Sequence, residues 1–225
     1  MRTLSSGITL ALVLTLLVVN SVSAGPPTDQ LRGSIDTVLT TLSDPEMKRD
    51  AKTGERRRRI RAAANEIFDF SEISRRALGI HWQARTSAER QEFATLFSDL
   101  LEQSYVSKIE SYSGERIAYV GDANEGNQAV VRTRIVSKQG TETPVDYRMH
   151  NQDGRWRAYD VTIEGVSLVA NYRAQFNSII QRSGYADLVG KLKAKQGERP
   201  GPKEVGRSQD KGAAEPPATP RREAP

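Results

Sequence analysis

Any chemistry in this chain would have to come from carboxylates, tyrosines or two histidines, because the sequence has no cysteine. Disulfides, thiolate zinc sites and cysteine nucleophiles are excluded on that ground. His81 stands beside Trp82 just after a helix end, and His150 stands at a strand-to-turn junction. Both positions read as surface or capping sites rather than as general bases. There is no Walker A loop, GxGxxG, HExxH or GxSxG motif. The carboxylates Asp146 and Asp160 fall in strands, out of phase with the apolar residues around them, so both are expected to face water. Asp69 lies between Phe68 and Phe70. For it, helix capping or pairing with Arg75 or Arg76 is the simplest expectation. An enzyme acting on an apolar substrate would need an acid or a tyrosine aimed inward with a raised pKa. The phases of Asp146 and Asp160 argue against one, so no catalytic residue and no cofactor is expected.

The run Arg56 to Arg59 is the other chemically distinct feature. Four consecutive helical residues sweep about 300° at 100° each, so they cannot share one docking face. Arg56 shares the face of Ile60, Ala63 and Ala64, so either the helix projects past the core there or that side chain snorkels. Two readings stay open: a solvated helix end, or a docking patch for acidic headgroups or an acidic partner. A net charge of +5 and a pI near 9.5 favour acidic partners without choosing among them. Nucleic acid is disfavoured, because no aromatic-basic sheet motif accompanies the charge and the chain reads as exported.

The export reading rests on the N-terminus. Arg2 is a positive n-region, Ile8 to Val19 is an apolar run interrupted by Thr9 and Thr15, and Val22-Ser23-Ala24 fits a signal-peptidase site before Gly25. A membrane span needs about 20 apolar residues, more than this run supplies. Residues 1–24 are therefore expected to be a cleaved signal peptide, 25–196 a folded domain and 197–225 a disordered tail. The tail is rich in Gly, Pro, Lys, Arg and Glu, and it lacks the apolar periodicity that would offset ordering entropy.

Within the domain, Leu31, Ile35, Val38, Leu39 and Leu42 have helical spacing. A second helix is expected through Ile60, Ala63, Ala64, Ile67 and Phe68, continuing from Asp69 to Leu78 and stopping at Gly79. Thr86 and Glu89 have capping-box spacing ahead of a long helix with Phe93, Leu96, Phe97, Leu100 and Leu101 on one face. The period then becomes two. Strands are expected over Arg116 to Val120, around Ala129 to Ile135, around Val145 to Met149, and from Trp156 to Ile163, with a turn over Gly121 to Asn127. Two closing helices follow, one with Leu168, Val169, Tyr172, Phe176, Ile179 and Ile180, and one with Tyr185, Leu188, Val189 and Leu192. The plan is α+β. The helices are expected on one face of an antiparallel meander of about four strands, because the other face carries arginines.

Three segments resemble a known family. Ile73 to Trp82, ISRRALGIHW, resembles the RxxLGxxW segment of the MlaC family of periplasmic phospholipid carriers, also called the toluene-tolerance family. Glu89 to Phe93, with Leu96, Phe97, Leu100, Leu101 and Tyr105, resembles that family's long helix. Trp156, Tyr159-Asp160-Val161 and Glu164 to Phe176 resemble its YDVxxEGVSLVxNYRxQF block nearly position for position. The resemblance covers about residues 28–195 and leaves out the Arg56 to Arg59 run and the tail.

The resemblance implies an NTF2-like or cystatin-like fold with a curved sheet and an internal hydrophobic cavity. It implies a phospholipid cargo, or alternatively a hopanoid, and no catalysis. It implies a periplasmic shuttle between an outer-membrane lipoprotein complex and an inner-membrane ABC transporter, in transient contact with membranes. Face assignments from periodicity, set beside that resemblance, place Ile109, Val131, Ile135, Tyr147, Met149, Tyr159, Val161, Leu168, Val169, Tyr172 and Phe176 in the cavity wall, with Tyr105 at its mouth. A dry core built from the same residues is the competing reading. Glu164-Gly165 is expected to form a sharp turn that brings Val166 to Leu168 back across the sheet edge.

Overall fold

The structure, a computed structural model, describes residues 25–197. The expected export signal and the tail beyond Gly197 lie outside the described residues. Helix α1 spans Pro26–Ser43. Pro26 occupies its first position, where a missing N–H costs nothing. Leu31, Ile35 and Leu42 form its buried stripe. A 3₁₀ turn at Asp50–Lys52 leads into α2, Thr53–Ile67, which buries Ile60, Ala63 and Ile67.

The expected continuation of that helix to Leu78 is not what forms. The chain breaks at Phe68, whose extended backbone pairs with Ala158, while the Asp69 N–H donates to the Ala158 carbonyl at 3.0 Å. Helical periodicity runs on both sides of the break, so a local pattern could not reveal it. Helix α3, Phe70–Leu78, starts afresh with Asp69 as its cap and ends at Gly79. A 3₁₀ turn at Gly79–His81 precedes α4, Ser87–Glu110. The Thr86–Glu89 capping box forms as its spacing suggests. No helix among the described residues is long and apolar enough to cross a membrane.

The sheet is an antiparallel meander in the order β1-β2-β3-β4-β5. Its strands are β1 Arg116–Glu125, β2 Gln128–Val136, β3 Glu142–Gln152, β4 Arg155–Ile163 and β5 Val166–Ser167. β1 runs through the stretch expected as a turn. A bulge between Tyr119 and Gly121 lets residues 121–125 keep pairing with β2, so only Gly126 and Asn127 turn. The Asp153-Gly154 and Glu164-Gly165 turns each have positive φ at both residues, the shape that matches strand twist in two-residue hairpins. The second of these is the expected sharp turn. It delivers β5 and then α5, Leu168–Gly197, which is broken at Gly184 into the two expected helical pieces.

Two separate cores result. One joins α1 and α2 to the inner face of the sheet through Leu31, Ile35, Ile67, Ala129, Val131, Met149, Trp156 and Ala158. The other joins α3, α4 and α5 through Ile73, Leu78, Phe93, Phe97, Tyr172, Phe176 and Leu188, with no strand residue among its members. Phe68, at the helix break, packs against both. On the outer face of β2 and β3, Arg132, Arg134 and Arg148 are exposed, as the alternation requires.

Candidate functional site

The candidate site is the set of apolar residues that neither core covers completely. Directly paired strand residues share a face. The register pairs Ile117 with Ile135, Val131 with Tyr147, and Tyr147 with Val161, so all five lie on the inner face. Val131 and Met149 are wholly covered and belong to the packed core. Ile117, Ile135, Tyr147 and Val161 are only half-buried. Helix α4 also extends beyond its own core. It buries Phe93, Leu96, Phe97 and Leu101, while Tyr105 and Val106 are half-covered and Ile109 is 37% exposed. Leu168, at the start of α5, is also half-covered at the edge of the helical core.

Of the residues expected in a cavity wall, Tyr105, Ile109, Ile135, Tyr147, Val161 and Leu168 keep free apolar surface. Val169, Tyr172 and Phe176 do not, because they are packed inside the helical core. Tyr159 is also misplaced by the alternation. The register pairs Arg148 with Asp160 but Met149 with Ala158, so Tyr159 is a bulged extra residue. Its ring lies between the Arg76 guanidinium, 3.9 Å from the ring centre, and the His150 ring at 5.6 Å. Ile117, Tyr119, Leu39 and Val106 join the half-covered set without having been singled out. The odd-numbered phase of β1 carried a signal for Ile117 and Tyr119.

The tyrosines report on depth. Burial alone pushes the Tyr147 hydroxyl up to about 12, yet part of the residue remains accessible. Tyr105 is also pushed up to about 12, by burial first and by neighbouring Tyr172 second. Burial raises Tyr119 as well, with Asp36 and Tyr147 adding to it and Arg32, stacked 4.5 Å from the ring centre, opposing. The Tyr119 hydroxyl is buried with no hydrogen-bond partner among the described residues.

The candidate acids have other roles. Asp160 is not in water. It is 6% exposed, accepts from Ser167 Oγ at 2.6 Å and from the Val169 N–H at 3.0 Å. Ser167 Oγ accepts in turn from the Ala170 N–H. The two side chains satisfy N–H groups that would otherwise be orphaned at the start of α5. The register puts Asp160 on the outer face beside Arg148, as alternation requires, and the β5–α5 junction covers it there. Asp69 caps α3 as expected, accepting from the Glu72 N–H at 2.9 Å. Its other partner is His150 Nε2 at 3.1 Å, not Arg75 or Arg76, which both pair with Glu72. His81 Nε2 lies 2.9 Å from Asn177 Oδ1.

The basic run is divided among internal partners. Arg56 and Arg57 both reach Glu110, at the far end of α4, at 2.9 Å. Arg56 also donates to the Met47 carbonyl. Arg59 pairs with Glu55 on its own helix. Arg61, one turn on, bridges to Glu102 and Asp99 of α4. Burial alone would raise the Glu110 carboxyl, but Arg57 and Arg56 outweigh it and hold it below the usual carboxylate range.

A family model described as MlaC protein matches residues 32–194. The intermembrane phospholipid transport system binding protein MlaC of Haemophilus influenzae is 25% identical over 122 residues, 52% of this chain and 57% of that protein. A toluene tolerance protein of Pseudomonas putida is 23% identical over 166 residues, 73% of this chain and 77% of that protein. The fold is similar to that of a phospholipid-binding protein from Ralstonia solanacearum, solved in complex with a phospholipid. That similarity has a TM-score of 0.67 at 24% identity, covering 76% of this chain and 96% of the other. With the family model spanning nearly the whole described domain, this chain belongs to the MlaC protein family.

Proposed function

We propose that this protein is a periplasmic carrier that holds the acyl chains of a phospholipid between its two cores. The observation that carries the reading is the set of half-buried apolar residues that the register puts on the sheet's inner face, Ile117, Ile135, Tyr147 and Val161. Tyr105, Ile109, Ile135, Tyr147, Val161 and Leu168 form the wall against the chains. The relatives' names supply the cargo class, and the motif block from Trp156 to Phe176 supplies the family's frame.

The energetics suit a carrier. A two-chain phospholipid has about 30 methylenes at about 0.8 kcal/mol each, so exposing it costs on the order of 20 kcal/mol. Free passage through water is negligible at that cost. An apolar cleft only has to match the bilayer, so loading and unloading can both lie near equilibrium. Direction must then come from partners: an outer-membrane lipoprotein complex at one end and an inner-membrane ABC transporter at the other, a traffic that maintains lipid asymmetry. The carboxylates Asp69 and Asp160 are engaged in capping helices, which supports binding rather than catalysis.

The test is gentle native mass spectrometry of protein exported to a bacterial periplasm, followed by solvent extraction and lipid identification. The expected result is a mass increment of one phospholipid per chain. A bare mass, with no uptake from vesicles, would overturn the carrier reading in favour of an adaptor or an enzyme on a hydrophobic substrate.

A further inference from the structure

The α2–α4 seam is bridged by long charged side chains. Among the described residues, helix α2 packs mainly on α1 and β4 and helix α4 on α3 and α5, with little direct packing between α2 and α4. They run antiparallel, since Arg56 and Arg57 meet Glu110 while Arg61 meets Glu102 and Asp99. Near the start of α3 the gap opens outward as a groove, with Arg61 and Asn65 on one bank and Ser98 and Asp99 on the other. Long side chains therefore span a space that apolar packing leaves open. These bridges tie the sheet core to the helical core.

The joints at the starts of α3 and α5 are built differently. There the cores are joined through backbone: the Phe68 pairing with Ala158, the Asp69 N–H on the Ala158 carbonyl, and Asp160 gripping Ser167 and Val169. Those bonds cannot part without unfolding the start of α3 or α5. The ionic seam can part without unfolding a helix: Arg57 and Arg61 are nearly half-exposed and exchange their partners for water at small net cost, while the more covered Arg56–Glu110 pair holds more firmly. Glu110 is the least exposed point of that seam. Its side chain and that of Arg56 are each 14% exposed, and Arg57 is 42% exposed. Glu110 follows Tyr105, Val106 and Ile109 on the same stretch of α4, the residues that the carrier reading puts in the wall.

We propose that Glu110, clasped by Arg56 and Arg57, is the latch of the lipid cleft: the cores swing about the Phe68–Asp69 junction, and breaking this clasp admits or releases the acyl chains. The proposal rests on the carrier reading. It gives the basic run a positioning role in transfer, set by partners more than 50 residues away in sequence. A latch of this kind controls how fast lipid exchanges, not how much is held at equilibrium. A charge clasp suits repeated opening in water, whereas an apolar seam would expose fresh hydrocarbon at each cycle.

The test uses the mature chain loaded with a pyrene-labelled phosphatidylethanolamine and mixed with phosphatidylethanolamine–phosphatidylglycerol vesicles. Glu110→Gln and Arg57→Gln should each speed transfer by about tenfold, the scale of a charge-assisted bond lost from the closed state, with lipid occupancy unchanged. Added salt should speed the wild type and have little further effect on Glu110→Gln. Because the chain has no cysteine, Arg57→Cys with Glu110→Cys can be bridged by a short reducible bis-thiol reagent. The bridged protein should keep its lipid and stop exchanging, and reduction should restore fast exchange. Circular dichroism of each variant separates a lost latch from a lost fold. Unchanged occupancy with transfer insensitive to both the substitutions and the bridge would overturn the latch alone. Wild-type protein that holds no lipid would overturn the carrier reading and the latch with it.

Discussion

The helical core and the cleft wall use the same kinds of residue, and they differ in what stands opposite. In the helical core Phe97 meets Tyr172 and Phe176 at 5.0 Å, in edge-on geometry, and Phe93 meets Phe176 at 5.5 Å. Every one of these rings is closed over by another. In the proposed wall, Tyr105 and Tyr147 are only half-buried and keep part of their surface uncovered. The difference shows that apolar residue type sets the capacity for burial, while tertiary closure decides whether that capacity holds the fold together or is left for a ligand.

The largest expected effects lie in the helical core. Phe97→Ala should cost about 3–5 kcal/mol in urea unfolding, because a fully buried ring leaves a cavity its neighbours fill only in part. Tyr172→Asp and Val169→Asp should unfold the domain, since each would bury a charge without a partner. They are therefore tests of the core and not of the cleft. A Phe97→Ala loss below about 1 kcal/mol would mean that this core is loose and that the contrast with the wall is false.

Next comes the joint between the regions. Asp160→Ala removes the acceptor for Ser167 Oγ and the Val169 N–H. The expected loss is about 2 kcal/mol, with amide exchange rising first at the start of α5. Uniform exchange across the domain would instead make Asp160 an ordinary core residue.

Smaller in stability, and sharper for function, is Val161→Asp. The lipid-free protein should lose about 1 kcal/mol or less, because the wall is open to solvent there. Lipid retention after export should be lost. A folded Val161→Asp protein with full lipid occupancy would remove that residue from the wall.

The smallest effect is on alkaline stability. Tyr147 and Tyr105 are both pushed up to about 12, so the folded chain holds phenolic protons that the unfolded chain releases above about pH 10. Their stabilising contribution is complete below pH 10 and is lost as pH rises through about 12. Phenolate absorbance at alkaline pH, followed in the wild type and in Tyr147→Phe, checks this. A Tyr147 that ionises near its ordinary value would mean a wet wall.

Much of this was legible in the chain. The Thr86–Glu89 cap, the alternation in β2 and β3, the Glu164-Gly165 turn and the stop at Gly79 are local features that the structure keeps. The inward set Ile135, Tyr147 and Val161 followed from a period of two. Other features were not legible, each for a definite reason. The extra residue at Tyr159 breaks the phase of β4 there, and Asp160, on the outer face beside Arg148 as alternation expects, is covered by the β5–α5 junction, which no local pattern shows. Phe68 fits helical spacing on both sides, and only its pairing with Ala158 stops the helix.

The sequence by itself determined the α+β order, the turn positions, the supply of apolar residues and the family resemblance. These depend on spacings of a few residues, where backbone geometry acts directly. The tertiary structure alone decided which aromatic rings are closed over and which stay partly exposed. It also decided that Arg56 and Arg57 face Glu110 rather than solvent or an acidic partner. Both questions turn on contacts between segments tens of residues apart, and no local periodicity encodes which distant surface a side chain will meet.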